Sequence, residues 1–411
     1  MRATSLLRRV LGIEGTVVTG CRVDRGNVLV KVKPAWRIPR CARCGQRAHW
    51  PQLSTQRRSW RHLDMAGVQL FLEYDRKRVH CEECGWVVEA VPWADEPRAR
   101  FTRDFDGLIA FLAQRCDKSS IMWAFRIAWR TVGRCIQRVV ARLRSGDPLD
   151  DLTTIGVDEI SYRKHHHYLT LVTNHEAGKV VWAKEGKNAD TLKAFFEELG
   201  EERCAEIEAV TADMSAAYSK AVRDKVPHAR IVYDRFHVQQ LVGKAVDETR
   251  RDEWRNRREH PEEAKAVKKT RWALLKHPSN LTDKEELRLA RLQKENRRLY
   301  RAYLLKEQFV EIMDRRQRHV VRRLLTAWLA WAARSRLPAF VKVARTIRDH
   351  LEGVLAYIDT RLTNGLVEGL NAKARLLTRR AYGFHSAKAV ISMIMLCCTD
   401  LDVRPPLKHA T

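Results

Sequence analysis

Cys41-Ala-Arg-Cys44-Gly45 and Cys81-Glu-Glu-Cys84-Gly85 constrain this chain more than any other feature of it. Two thiolates three residues apart on a tight turn chelate one metal ion. The glycine that follows tolerates the left-handed backbone of that turn. Two such knuckles complete a tetrahedral site, so Cys41, Cys44, Cys81 and Cys84 are the expected ligands of one structural Zn²⁺. The thirty-six residues between Cys44 and Cys81 exceed the usual ribbon gap and leave room for a hairpin built from Val68–Tyr74 and Arg76–His80. His49, His62 and His80 are the side chains that would replace one sulfur, and buried free cysteines are the competing reading. Neither pair opens a helix after a strand, which argues against redox chemistry.

The N-terminus, MRATSLLRRVLGI, is basic but has no long apolar core and no small-residue cleavage site, so no secretory signal is expected. The ten cysteines are then placed in a reducing compartment, where paired spacings mean metal more often than disulfides. The longest apolar stretch, Ala387–Leu401, is broken by Lys388 and Asp400, which excludes a spanning helix. Seventy-seven Lys and Arg against fifty Asp and Glu leave a net charge of +27. A field of that sign concentrates polyanions, so a cytoplasmic protein that binds nucleic acid is expected, without a membrane partner.

At about 150 residues per domain, 411 residues imply more than one. Residues 1–100 read as short β-runs, including Val28–Val32, around the zinc module. Residues 101–150 switch to helical periodicity and end at Gly146-Asp147-Pro148. Residues 151–242 alternate strands (Ile155–Val157, Tyr168–Thr173, Lys179–Ala183, Ala205–Thr211, Ala229–Tyr233) with a helix at Asp190–Leu199, the pattern of a mixed α/β sheet. Residues 243–356 lose every strand signal and read as an all-α insertion. Residues 357–411 close the α/β domain with helices at Asn364–Arg380 and Ser386–Leu401.

Within the second segment, Phe105–Arg115, a polar turn and two further helical stretches read as a helix-turn-helix. Its last stretch carries Arg130, Arg134 and Arg138, side chains that reach phosphates and base edges from a helix in the major groove. A plain solvated helix is the competing reading.

Three carboxylates stand out by position. Asp158 follows the apolar run Thr153–Val157 and Asp213 follows Ala209–Ala212, each expected at a strand end. Glu368 lies on a late helix whose Glu368, Asn371, Arg375 and Arg379 fall on one face. Such a set can hold two Mg²⁺ (or Mn²⁺) ions about 4 Å apart, which activate a nucleophile and stabilise the leaving oxygen at a phosphodiester. For any one of them alone, a turn-capping role is the commoner meaning. Lys373, Arg375 and Arg379 would then track the DNA backbone.

At these residues the chain resembles the ISL-three family of bacterial insertion-sequence transposases. The matching pieces are C-A-R-C-G, H-C-E-E-C-G, G-V-D-E-I-S-Y-R-K with Asp158, T-A-D-M-S-A-A-Y with Asp213, Y-D-R-F-H-V with Asp234 and His237, and T-N-G-L-V-E-G-L-N-A-K-A-R with Glu368. They run in the family's order from about Cys41 to Gly383. The resemblance implies a multidomain α/β chain whose catalytic part is ribonuclease-H-like and interrupted by a helical insertion before the glutamate. It implies Asp158, Asp213 and Glu368 as the metal-binding triad, with His237 and Asn371 in support and Asp234 a further candidate ligand. It implies transposon ends and target DNA as partners, and a homo-oligomer that acts as a dimer on DNA, at the nucleoid when bound. Lys187 stands where the family carries Arg. His165-His166-His167 is expected at a hairpin turn. A DNA-binding regulator that has lost catalysis and a structure-specific nuclease are the alternatives.

Overall fold

The computed structural model describes residues 3–49, 56–144, 149–163, 167–381 and 384–406. The linker Gly146-Asp147-Pro148 and the histidines His165 and His166 lie outside them. The chain divides into two compact units, residues 1–148 with 376–411 and residues 149–375.

The first unit starts with helix α1 (Ala3–Leu11) and four strands, β1 (Thr16–Asp24), β2 (Asn27–Pro34), β3 (Gln56–Arg61) and β4 (Leu70–Arg76), in the order β1-β2-β4-β3. Arg25 and Gly26 both take positive φ between β1 and β2, as a two-residue hairpin with the twist of its strands demands. Val30, Leu70, Leu72, Trp60 and Trp93 form the buried core, with the two indoles edge to face at 5.5 Å. The knuckles sit in a second, smaller core on the hairpin β5 (Arg78–Cys81) and β6 (Gly85–Val88). The expected pairing of Val68–Tyr74 with Arg76–His80 does not form. β4 pairs with β2 and β3 because its alternating Leu70 and Leu72 fill their core. The buried Arg76, donating to the Glu89 and Pro97 carbonyls at 2.8 and 2.6 Å, ends that strand.

Helices α2 (Arg103–Ala113), α3 (Lys118–Phe125) and α4 (Trp129–Leu143) follow. Thr102 and Asp117 cap α2 and α3, and Arg126 in the left-handed region stops α3. α4 packs on α2 through its stripe of Val132, Cys135, Ile136 and Val139.

The second unit holds β7 (Thr154–Arg163), β8 (His167–Asn174), β9 (Lys179–Glu185), α5 (Ala189–Leu199), α6 (Glu201–Ala205), β10 (Ala209–Ala212), α7 (Ala216–Lys225) and β11 (Arg230–Tyr233). Its sheet order is β11-β10-β7-β8-β9: the first three strands in sequence form an antiparallel meander, and β10 and β11 run parallel to β7. The strand expected over Ala205–Thr211 is shorter, because Glu201–Ala205 is helical and only Ala209–Ala212 pairs. All four residues of β10 are buried, as a parallel strand inside a sheet requires.

Helices α8 (Arg235–Asn256), α9 (Pro261–Lys268), α10 (Arg271–Leu275), α11 (Asp283–Glu295), α12 (Arg297–Asp314), α13 (Arg318–Ala333), α14 (Pro338–Asp349) and α15 (Leu351–Thr360) make up the helical segment, followed by α16 (Gly365–Arg380). The segment starts eight residues before the expected boundary at 243, since α8 leaves β11 directly. Its core runs without interruption from Val232 and Tyr233 of β11 through Phe309, Trp328 and Phe340 to Ile358. Helices and sheet edge are therefore one packed body.

The last helix, α17 (Ala387–Cys397), was expected with the catalytic part. It packs instead on α4, and Gln114 donates to the Leu396 carbonyl at 2.9 Å. Arg380 ties the end of α16 to the Ala113 carbonyl at 2.7 Å. Among the described residues no helix is long and apolar enough to cross a membrane.

Arg138, expected on DNA, is not available to it. Its guanidinium grips the buried Asp106 carboxylate of α2 through two hydrogen bonds of 2.6 Å. Removing one partner leaves a buried charge alone, so Arg138→Ala is expected to cost about 3–5 kcal/mol of unfolding free energy. Chemical denaturation checks this, together with the double variant Arg138→Ala, Asp106→Ala, which should recover most of the loss. A single variant as stable as wild type would return Arg138 to the surface.

Candidate active site

β10 lies beside β7 with Thr211 opposite Gly156. Two residues further along these parallel strands come Asp213 and Asp158, so the register sets them level on neighbouring strands. Asp213 leaves the end of β10 and accepts the Ser215 N–H at 3.0 Å, which opens α7. Asp158 is not at a strand end as expected. β7 continues to Arg163, with Asp158 opposite Leu171 in mid-strand.

The third carboxylate arrives on α16. Asn371 is fully buried and donates to Asp158 Oδ2 at 2.5 Å. Glu368, one helical turn earlier, is thereby carried to the same edge. His237, in the first turn of α8, places Nε2 3.8 Å from Glu368 Oε1. The structure thus brings Asp158, Asp213, Glu368, His237 and Asn371 together.

Asp234 directly follows β11, but both its oxygens are engaged. One caps α8 through the Phe236 N–H at 3.1 Å, and the other accepts the Asn364 N–H at 2.9 Å at the start of α16. It ties two elements of the site to each other.

Burial pushes the Asp158 carboxyl above its usual range. The Glu159 N–H and the charge of His237 pull against this, and Asp213 adds to it. Glu159 was not singled out from sequence. Its carboxyl is also raised, by burial and then by Asp213, while Lys187 opposes the shift and the Tyr218 hydroxyl lies 3.4 Å away. Lys187 itself stands over the Tyr168 ring at 3.8 Å. Several carboxylates crowded at one sheet edge repel one another, a repulsion that a divalent cation relieves. The donors are oxygens, and the Asn371 carbonyl oxygen is buried without a partner, so the set fits a hard cation such as Mg²⁺ or Mn²⁺. The triad does not close to within 4.8 Å, the span that only the cysteine cluster reaches among the described residues. A site for two ions about 4 Å apart is wider than that span.

Gly156 was also missed, since a lone glycine in a strand signals only a close approach of unknown origin. A Cβ there would stand 2.5 Å from Val367 and 2.6 Å from the Thr173 hydroxyl. Val367 precedes Glu368, so the bare backbone at Gly156 is what lets α16 settle on β7. Gly156→Ala is expected to cost about 1–3 kcal/mol of stability. It should also slow catalysis with every carboxylate still present. Denaturation and single-turnover assays check this, and wild-type values in both would show that the helix needs no such approach.

The four cysteine sulfurs lie within 4.8 Å of one another, with Cys44 and Cys81 at 3.5 Å. Tetrahedral zinc–sulfur bonds of about 2.3 Å require a cluster of that size. Burial opposes ionisation of Cys41, but the Cys44 and Arg43 N–H groups bring its thiol down to about 7. No histidine joins this cluster among the described residues. His62 is instead committed to the Thr102 hydroxyl at 2.9 Å, and His49 and His80 bond each other's backbones. Arg130 and Arg134 are exposed on α4, and Lys373, Arg375 and Arg379 are exposed on α16.

Residues 155–394 match the ISL3 (ISL-three) family of DDE transposases, described as "Transposase". Residues 37–84 match the zinc-finger of transposase IS204/IS1001/IS1096/IS1165 and contain all four cysteines. The chain is 38% identical to a transposase for insertion sequence element IS1557 from Mycobacterium tuberculosis, over 100% of its own length and 98% of the relative's. It is 30% identical to a transposase for insertion sequence element IS1001 from Bordetella parapertussis, over 88% and 89% of the two chains.

Proposed function

The chain belongs to the ISL3 family of insertion-sequence transposases, and on that premise we propose that it binds the terminal inverted repeats of a mobile element, cuts there and joins the freed ends to target DNA. The observation that carries this reading is the register that levels Asp213 with Asp158, together with the Asn371 bond that brings α16 and Glu368 to them. The sheet order, a meander followed by two strands parallel to its first, supports a ribonuclease-H-like catalytic fold.

Asp158, Asp213 and Glu368 are the residues that would hold divalent cations. When bound, these supply Lewis-acid stabilisation of the phosphodiester oxygens and activation of the nucleophile. Asn371 fixes the orientation of Asp158. His237 lies 3.8 Å from Glu368 and holds it toward the site, and Asp234 keeps the starts of α8 and α16 in place. Lys373, Arg375 and Arg379 neutralise phosphates along the bound strand. In the first step a water oxygen bonds to phosphorus at the element's end, and the bond to the 3′ oxygen breaks, leaving a 3′-hydroxyl. In the second, that hydroxyl attacks a target phosphodiester and displaces the target's own 3′ oxygen. Arg130 and Arg134 on α4 and a structural Zn²⁺ at the four cysteines serve recognition of the ends. Joining both ends at one target needs them held together, which a dimer on DNA would do.

The test is incubation of the purified protein with labelled DNA carrying the element's ends, with Mg²⁺ or Mn²⁺. The expected products are new 3′-hydroxyl ends and joined strands. Cleavage that never proceeds to joining would favour a nuclease, and specific binding without cleavage would favour a regulator.

A further inference from the structure

The zinc lobe carries a groove of about 470 Å³ that lies outside the catalytic machinery, with Arg43, Arg78, Trp86, Glu96, Pro97 and Arg98 on its walls. Trp86 leaves 47% of its surface exposed, with the His80 ring edge-on to it at 5.4 Å. Arg43, Arg78 and Arg98 are all exposed, and none of them forms an ion pair with another described residue. Some arginines of this unit are matched to carboxylates, as Arg57 to Asp75, Arg103 to Asp95 and Arg126 to Asp64, and the three on the groove are not. Glu96 is the one carboxylate in the groove, so it keeps a clear positive excess.

The walls are also built. The Pro97 carbonyl accepts from Arg58 at 2.5 Å and from Arg76 at 2.6 Å. Ala42 donates to the Val88 carbonyl at 3.2 Å, which fixes the first knuckle against β6. Arg78 pairs with Val88 in the hairpin, and the Arg43 N–H points at the Cys41 sulfur at 3.3 Å. The backbone that carries Arg43, Arg78 and Trp86 is therefore fixed around the groove.

We propose that this groove binds an unpaired stretch of DNA, with one base stacked on the Trp86 indole and the flanking phosphates on Arg43, Arg78 and Arg98. The inference rests on the proposed action on DNA and adds a second nucleic-acid site to it. A recess of this volume admits a group the size of a nucleotide. A base inside a duplex cannot offer its face to an indole, whereas an unstacked base can, and guanidinium groups beside an aromatic platform are the means by which single strands are held. An acidic peptide would use the arginines but would gain little from the indole.

The experiment uses the full-length, zinc-loaded protein and compares a 12-nucleotide oligo(dT) with a blunt duplex carrying the element's end. Trp86→Ala is expected to weaken oligo(dT) binding by about 5- to 100-fold, while Trp86→Phe keeps most of it. Replacing Arg43, Arg78 and Arg98 together by Ala should flatten the salt dependence for oligo(dT) by about two units of log–log slope. Zinc content and duplex cleavage should stay unchanged in all three variants. Unchanged oligo(dT) affinity in Trp86→Ala with zinc retained overturns the proposal, as does displacement of oligo(dT) by poly-glutamate that ignores Trp86. If Trp86→Ala loses zinc, the Phe and arginine variants decide in the same way. Duplex cleavage that persists while oligo(dT) binding ignores Trp86 removes this inference alone, whereas a chain that binds no DNA removes the proposed function as well.

Discussion

Replacing Asp158 or Asp213 by Asn, or Glu368 by Gln, is expected to lower Mg²⁺-dependent cleavage by on the order of a thousand-fold or more. The three carboxylates arrive from β7, the end of β10 and α16. Each would supply oxygens to ions that must be placed jointly for in-line attack. Residues that act as one unit are far from additive, so Asp158→Asn with Glu368→Gln should be scarcely slower than either alone. Binding to end DNA should survive, because neutralising a carboxylate lowers its repulsion with phosphate. Asp151→Asn is the control: residue 151 is exposed with φ 55°, a conformation that Asn tolerates, and the rate should stay within a few-fold. Asp234→Asn should behave differently from the triad. It weakens the acceptors that hold α8 and α16, so a loss of stability should accompany any loss of rate. Near-normal cleavage in one triad variant removes that residue from the site, and near-normal cleavage in all three removes the enzyme.

Stripping zinc is the second large perturbation. Purified protein is expected to hold about one Zn²⁺ per chain. The core around the knuckles is small: its buried members are Cys41, Ala48, Val79, Cys81 and Val87, two of which are expected ligands themselves. Apolar burial of that extent cannot hold a hairpin alone, whereas structural zinc contributes about 10–16 kcal/mol of apparent binding free energy in small metal-dependent folds. Chelation, or Cys41→Ser with Cys84→Ser, should therefore unfold the two knuckles and the β5–β6 hairpin that carries the second of them. Amide exchange over Arg78–Val88 should then rise to unprotected rates. The separate core of Val30, Trp60, Leu72 and Trp93 should stay protected, since none of its members is a ligand. Metal analysis that finds no zinc, or protection in Arg78–Val88 that outlasts chelation, would contradict this.

Much of the candidate site was legible because its signals are local. Asp213 and Asp234 each follow a short apolar run, and each does leave the end of a strand. Asn371 sits one helical turn after Glu368, a spacing that puts both on one face whatever surrounds them. Arg138 misled because an exposed arginine and one folded onto Asp106 are spelled identically. Asp158 misled because the apolar run before it ends there, yet Glu159, Ile160, Ser161 and Arg163 still pair with β8.

The sequence by itself determined the candidates: four thiolates spaced for one metal, three carboxylates in a fixed order, a strandless helical segment and a strongly positive net charge. Each of these follows from residue type and from spacing within one element. The tertiary structure alone decided which elements meet. It set β10 beside β7 so that Asp213 comes level with Asp158, and let α16 reach β7 over the bare backbone of Gly156. It engaged both oxygens of Asp234, and packed α17 on α4. Periodicity tells which face of a helix or strand is apolar, but many partners can cover an apolar face. Shape and register among residues far apart in the chain make that choice.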